Sequence, residues 1–99
     1  MSEAPSSSDI VAQLASVISQ RHLDMPEGSY VASLLAGGWG ATARKVLEEA
    51  AETVIAAKEG DSEHLAAEAA DLIFHLLILL EQHDTAADLV WKELENRRR

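Results

Sequence analysis

The sequence predicts an all-α protein, a small bundle of four to five helices with two long antiparallel helices, completed by dimerisation. Three observations carry this. Apolar residues recur with a helical period, the stretch Ala41–Glu59 consists almost wholly of strong helix formers, and no segment alternates with the two-residue period of a strand. In chain order, Met1–Ser8 has neither the basic start nor the apolar run of a signal peptide and is expected to be a disordered, Ser-rich tail. Residues 9–99 form the single domain. Ile10, Val11, Leu14, Val17 and Ile18 place one apolar stripe on a helix over 9–22, with Ser8 or Asp9 available to cap it. Pro26 and Gly28 end any helix, and Ser29 then offers an N-cap for a short helix through Leu35. Gly37, Gly38 and Gly40 around Trp39 are expected to make a turn.

The helix over 41–59 meets a C-terminal glycine cap at Gly60, and Asp61 caps a second long helix over 62–83. Within it Leu72–Leu80 is apolar on all sides apart from His75, so burial on every side is expected. A last helix begins at Asp84 or Thr85, carries Leu89, Val90 and Leu94 on one stripe, and ends in the basic run Arg97–Arg99, which suits the helix dipole. Few short helices can cover such a stretch, and a homodimer is the physical expectation.

Charge excludes several partners. The chain has 17 Asp and Glu against 8 Lys and Arg, a net charge of −9 at pH 7. That sign repels nucleic acid and anionic membranes. The longest apolar stretch also falls short of the roughly 20 residues that span a bilayer. With 0 Cys there is no disulfide, thiolate metal site or cysteine nucleophile, and a cytoplasmic location is expected.

Much of the charge is concentrated. Residues 44–71 hold 8 acids and 3 bases. Lys45, Glu48, Glu49 and Glu52 share one face of the third helix, and Glu68, Asp71 and His75 share one face of the fourth. The first set by itself also fits a solvated surface on which Lys45 pairs with Glu48 and Glu49. In the second set, Asp71 and His75 adjoin apolar helix, where an unpaired buried carboxylate is costly. Antiparallel packing of the two helices would gather Glu49, Glu52, Glu68 and Asp71. Their mutual repulsion calls for a cation, and an all-oxygen donor set favours magnesium or manganese. Such an ion lets an acidic protein hold a polyanionic phosphate ester, with Lys45 and Arg44 placed to steady charge on a leaving pyrophosphate. The sequence contains no P-loop, no HExxH and no Glu-x-x-His pair of a di-iron bundle.

Glu49-Ala-Ala-Glu52, a gap over 53–67, and Glu68-Ala-Ala-Asp71 resemble the ExxE…ExxD signature of the MazG-like all-α nucleotide pyrophosphohydrolases. The run from Lys45 to Ala57, the run Glu68 to Leu77, Gly28-Ser29-Tyr30 and Leu94-x-x-Arg97 are more specifically similar to the phosphoribosyl-ATP pyrophosphohydrolases of histidine biosynthesis. One departure is Leu47, where glycine is often found. The resemblance implies magnesium-dependent hydrolysis of the α–β anhydride of phosphoribosyl-ATP, giving phosphoribosyl-AMP and pyrophosphate, in a dimeric helical bundle. It implies Glu49, Glu52, Glu68 and Asp71 as metal ligands, Glu48 as a further ligand or the base that orients water, and Lys45 as a phosphate contact. Many relatives carry a fused cyclohydrolase domain, and single function is expected of this chain.

Other positions keep two readings each. His75 either orients Asp71 or is a satisfied core histidine. Ser29 is a helix cap that can also touch phosphate. Tyr30 and Trp39 stack on adenine or pack in the core. Arg97 reaches substrate across a dimer interface or belongs to an exposed C-terminal run. His22, His64 and His83 give no signal. Two other functions share these features: a hydrolase of canonical or damaged nucleoside triphosphates, and a helical dimerisation module without chemistry.

Overall fold

A computed structural model describes residues 7–98, which form five helices joined by short turns: α1 Ser7–Asp24, α2 Tyr30–Ala36, α3 Trp39–Glu59, α4 Ser62–Gln82 and α5 Ala87–Arg97. Among the described residues there is no strand, as the missing two-residue alternation requires. Of the tail expected over 1–8, residues 1–6 lie outside the described residues. Ser7 and Ser8 are already helical, so α1 starts earlier than expected and neither Ser8 nor Asp9 stands at its boundary.

Caps account for the sharpest boundaries. The Ser29 hydroxyl accepts from the backbone N–H of Ala32 at 3.1 Å, and the Asp61 carboxylate accepts from those of Glu63 and His64. Gly60 closes α3 at φ 81°, a left-handed conformation that suits glycine. Two expectations are corrected here. The turn among the glycines is confined to Gly37 and Gly38, the latter at φ 84°, and α3 begins at Trp39 with Gly40 inside it. The last helix starts at Ala87 rather than Asp84 or Thr85, because Asp84 takes φ 52° and breaks the chain away from α4.

Helices α3 and α4 are the dominant packed pair. Thr42, Glu49 and Ala56 fall every seven residues on α3 and are all buried. The remaining helices gather at the other half of α4, where Ile18 from α1 meets Leu77 and Ile78, with Leu34 from α2 and Trp91 from α5 packed around them. Gln82 ties the end of α4 to α2 through the carbonyl of Leu34 at 3.0 Å. Near it, the Glu81 carboxylate accepts from Ser19 Oγ at 2.6 Å and lies 2.7 Å from His22 Nδ1, joining α1 to α4.

The single chain does not bury Leu72–Leu80 on every side. Ile73 is 45% exposed and Leu76 is 41% exposed, because α1, α2 and α3 occupy the other directions around α4. On α3 the pattern is inverted: Glu49 faces inward, while Leu47 and Val54, roughly opposite it on the helix, are 72% and 70% exposed.

Candidate metal and phosphate site

The facing surfaces of α3 and α4 bring one carboxylate oxygen each from Glu49, Glu68 and Asp71 within 4.8 Å of one another. Helical geometry arranges this, since Glu68 and Asp71 are one turn apart on α4 and Glu49 lies on the buried seam of α3. Glu49 is buried, Glu68 half-buried and Asp71 exposed, so the cluster opens to solvent on one side. That corrects the expectation that Asp71 is buried in the apolar stretch: it stands at the edge, one turn before the apolar run closes around His75. Glu52 is exposed and outside the tight triad, but it stands close enough to Glu68 to act on its carboxyl.

The electrostatics are those of an uncompensated acidic site. The neighbouring Glu52 carboxyl raises the Glu68 carboxyl above its ordinary value; burial and the charge of Glu49 add to this, and His64 opposes it. Two oxygens, Glu49 Oε2 and Glu68 Oε2, are buried without any hydrogen-bond partner. A carboxylate oxygen can only accept, and protein donors are missing where these two point. The donor set is all oxygen, which fits a hard divalent cation.

Basic groups line one edge. Lys45 Nζ lies 3.3 Å from Glu49 and 3.9 Å from Glu48, the pairing foreseen from their spacing. The hydrogen bond to Glu49 raises the Lys45 ammonium above its ordinary value against the opposing effect of burial, and Tyr30 is among the nearby groups that add to the rise. Glu48 is exposed beside the lysine. His64, which gave no signal in the sequence, stands 3.5 Å from Glu68 and 3.3 Å from Glu59. Its position four residues before Glu68 on α4 was the signal available.

Behind the carboxylates, His75 is 5% exposed. Its Nδ1 meets the backbone oxygen of Asp71 at 2.8 Å rather than the carboxylate, and its Nε2 meets the Tyr30 hydroxyl at 2.7 Å. Tyr30 is half-exposed and stacks on Phe74, while Trp39 is exposed and packs edge-on against His83. Ser29 is engaged as the α2 cap. Arg97 ends α5 in solvent and has no hydrogen bond or ion pair to the carboxylates among the described residues. One chain therefore assembles Lys45, Glu48, Glu49, Glu52, Glu68 and Asp71, with Tyr30 and His75 alongside, and leaves Arg97 apart.

Residues 11–98 match the protein family described as phosphoribosyl-ATP pyrophosphohydrolase. The chain belongs to this family. The curated phosphoribosyl-ATP pyrophosphatase of Metallosphaera sedula is 47% identical over 89 residues, 90% of this chain and 96% of the relative. That of Halobacterium salinarum is 46% identical over 94 residues, 92% of this chain and 99% of the relative. A bifunctional histidine-biosynthesis protein of Halalkalibacterium halodurans is 46% identical over 90 residues, which make up 43% of its length. For a phosphoribosyl-ATP pyrophosphohydrolase family member, the acidic cluster is the feature of the fold with the chemistry to hold a metal, since it alone couples converging carboxylates to orphaned buried oxygens among the described residues. No helix of the described residues is long and apolar enough to cross a membrane.

Proposed function

We propose that this protein hydrolyses the α–β phosphoanhydride bond of phosphoribosyl-ATP to phosphoribosyl-AMP and pyrophosphate, the second step of histidine biosynthesis. The convergence of Glu49, Glu68 and Asp71 around two unpartnered carboxylate oxygens carries the chemical part of the reading, and the family carries the substrate.

Glu49, Glu68 and Asp71 are the metal-holding residues, with Glu52 the further ligand beside Glu68. A magnesium ion, or manganese in its place, supplies Lewis-acid polarisation of the phosphate oxygens. Glu48 is exposed at the edge of the cluster and takes a proton from the attacking water. The water oxygen adds to the α-phosphorus, the bond from that phosphorus to the bridging oxygen breaks, the bridging oxygen leaves with pyrophosphate, and the ammonium of Lys45 meets the charge that develops there. With its proton held firmly, Lys45 stays cationic across the physiological range. Ser29, Tyr30 and Arg97 are the further substrate contacts, and His75 holds the backbone from which Asp71 projects.

A second copy of the chain completes the bundle. Leu47 and Val54 on α3, with Ile73 and Leu76 on α4, are too large and too exposed to be left in water. Arg97 then reaches substrate from the neighbouring subunit. Sedimentation of the wild type is expected to report a dimer at micromolar concentration, and Leu47→Glu with Val54→Glu to shift it toward monomer.

The deciding test follows pyrophosphate release from phosphoribosyl-ATP with magnesium, against a panel of ordinary nucleoside triphosphates. Preferred turnover of phosphoribosyl-ATP, abolished by chelating the metal, is the expected result. Faster turnover of a triphosphate would reassign the protein to the house-cleaning hydrolases, and no release from any nucleotide would leave only the non-catalytic module.

A further inference from the structure

His64 adds a nitrogen to the rim of the carboxylate cluster. It stands four residues before Glu68 on α4, so one helix face presents both side chains. Its Nε2 is 3.5 Å from Glu68 Oε1, and its Nδ1 is 3.3 Å from Oε1 of Glu59, the last residue of α3. The first distance is longer than the roughly 2.7–3.2 Å of a hydrogen bond. It matches the separation of two ligands that hold one ion at roughly 2.1 Å across a tetrahedral angle. The other Glu68 oxygen, Oε2, is buried and has no hydrogen-bond partner. An imidazole that binds a metal through one nitrogen turns the other toward a carboxylate, which holds the ring in place. Glu59 stands where that carboxylate is needed. The His64 side chain is half-exposed, so an ion reaches it from solution.

His64 lies outside the group whose oxygens converge within 4.8 Å, so its nitrogen serves a different ion from the one held by Glu49, Glu68 and Asp71. We propose that Glu68 bridges two cations: one in the all-oxygen triad, and a second, of the first-row transition class, between Glu68 Oε1 and His64 Nε2. Water or substrate oxygens fill its remaining positions. The donor types set the two apart. Oxygen alone suits magnesium, whereas an imidazole nitrogen beside a carboxylate favours cobalt or zinc over magnesium. Glu59 acts as a positioning residue, orienting the ring without touching the ion. The assignment rests on the reading of the cluster as a metal site.

The test is a cobalt(II) titration of the metal-free protein, with bound ions counted by equilibrium dialysis and the ligand read by proton NMR. Wild type is expected to bind two ions per chain and to show a strongly shifted, solvent-exchangeable imidazole N–H resonance. His64→Gln, its fold checked by melting temperature, is expected to bind one ion and show no such resonance, with magnesium affinity by calorimetry within about twofold of wild type. Glu59→Gln is expected to keep the resonance and weaken the second cobalt site by about tenfold or more. A wild type without the shifted resonance, whatever its ion count, or a resonance that persists in His64→Gln, overturns the second site and leaves the triad standing. A wild type that binds neither cobalt nor magnesium overturns the metal reading as well.

Discussion

Glu68 and Glu81 lie on the same helix and are both partly buried, yet their surroundings drive them in opposite directions. Burial pushes the Glu81 carboxyl up, but the Ser19 hydroxyl and the His22 imidazole more than offset it, and the group ends below its ordinary value of 4.5. Glu68 faces Glu52 and Glu49 instead and ends above 4.5, with one oxygen left without a partner. The first carboxylate has donors supplied by its own chain and works as a fastener between α1 and α4. The second faces two further carboxylates with only His64 opposing them, and one of its oxygens has no partner among the described residues. Satisfaction within the fold thus separates a structural acid from the one proposed to hold a metal, even where helix, residue type and burial are alike.

The largest test of that contrast removes charge from the unsatisfied end. Glu49→Gln, or Glu68→Gln, is expected to lower magnesium-dependent kcat/KM by at least about 100-fold while the metal-free protein melts no lower than the wild type. A drop in melting temperature with activity retained would reverse the roles assigned to the two ends of α4.

The converse substitution should act on stability alone. Glu81→Gln weakens the contacts with Ser19 and His22 and is expected to cost about 1 kcal/mol, which for a domain of this size is a fall of roughly 4–8 °C in melting temperature. Pyrophosphate release below the melting range should stay within about twofold of wild type. Loss of activity in proportion to the loss at Glu68→Gln would show that the two ends are not separable.

A smaller effect lies in the pH dependence of the metal-free protein, read from melting temperatures. For Glu81, with its carboxyl depressed on folding, the stabilisation is present above 4.5 and is lost as pH falls through its lower folded value. For Glu68, with its carboxyl raised, the stabilisation is present below 4.5 and is lost as pH rises through its higher folded value. Glu81→Gln should therefore flatten the acid limb of the profile, and Glu68→Gln should remove a decline on the side toward neutrality. Saturating magnesium should erase that decline in the wild type, because the cation takes the place of the proton.

Much of this was legible in the residues. The helical period, the caps at Ser29, Asp61 and Gly60, and the paired acidic motifs at one-turn spacing are local features, set by interactions a few residues apart. So is the side of α3 on which Lys45 meets Glu48 and Glu49. These fixed the fold class and named the carboxylates before any distance was known. The start of α5 was misplaced because Asp84 and Thr85 are good caps by type, and only the backbone turn at Asp84 moves the boundary to Ala86.

Tertiary structure alone decided which charges are answered. Glu81 drew no attention in the sequence, since its partners Ser19 and His22 are remote along the chain and arrive only when α1 packs on α4. His75 stands out in the sequence as unusual for an apolar helix, and its contact with the Asp71 carbonyl is local to α4, but its other partner, the hydroxyl of Tyr30 on α2, arrives only with packing. Sequence specifies what each helix can do by itself, through spacing and type. Whether a buried oxygen finds a hydrogen, a proton or a metal depends on which element lies opposite, and only packing supplies that.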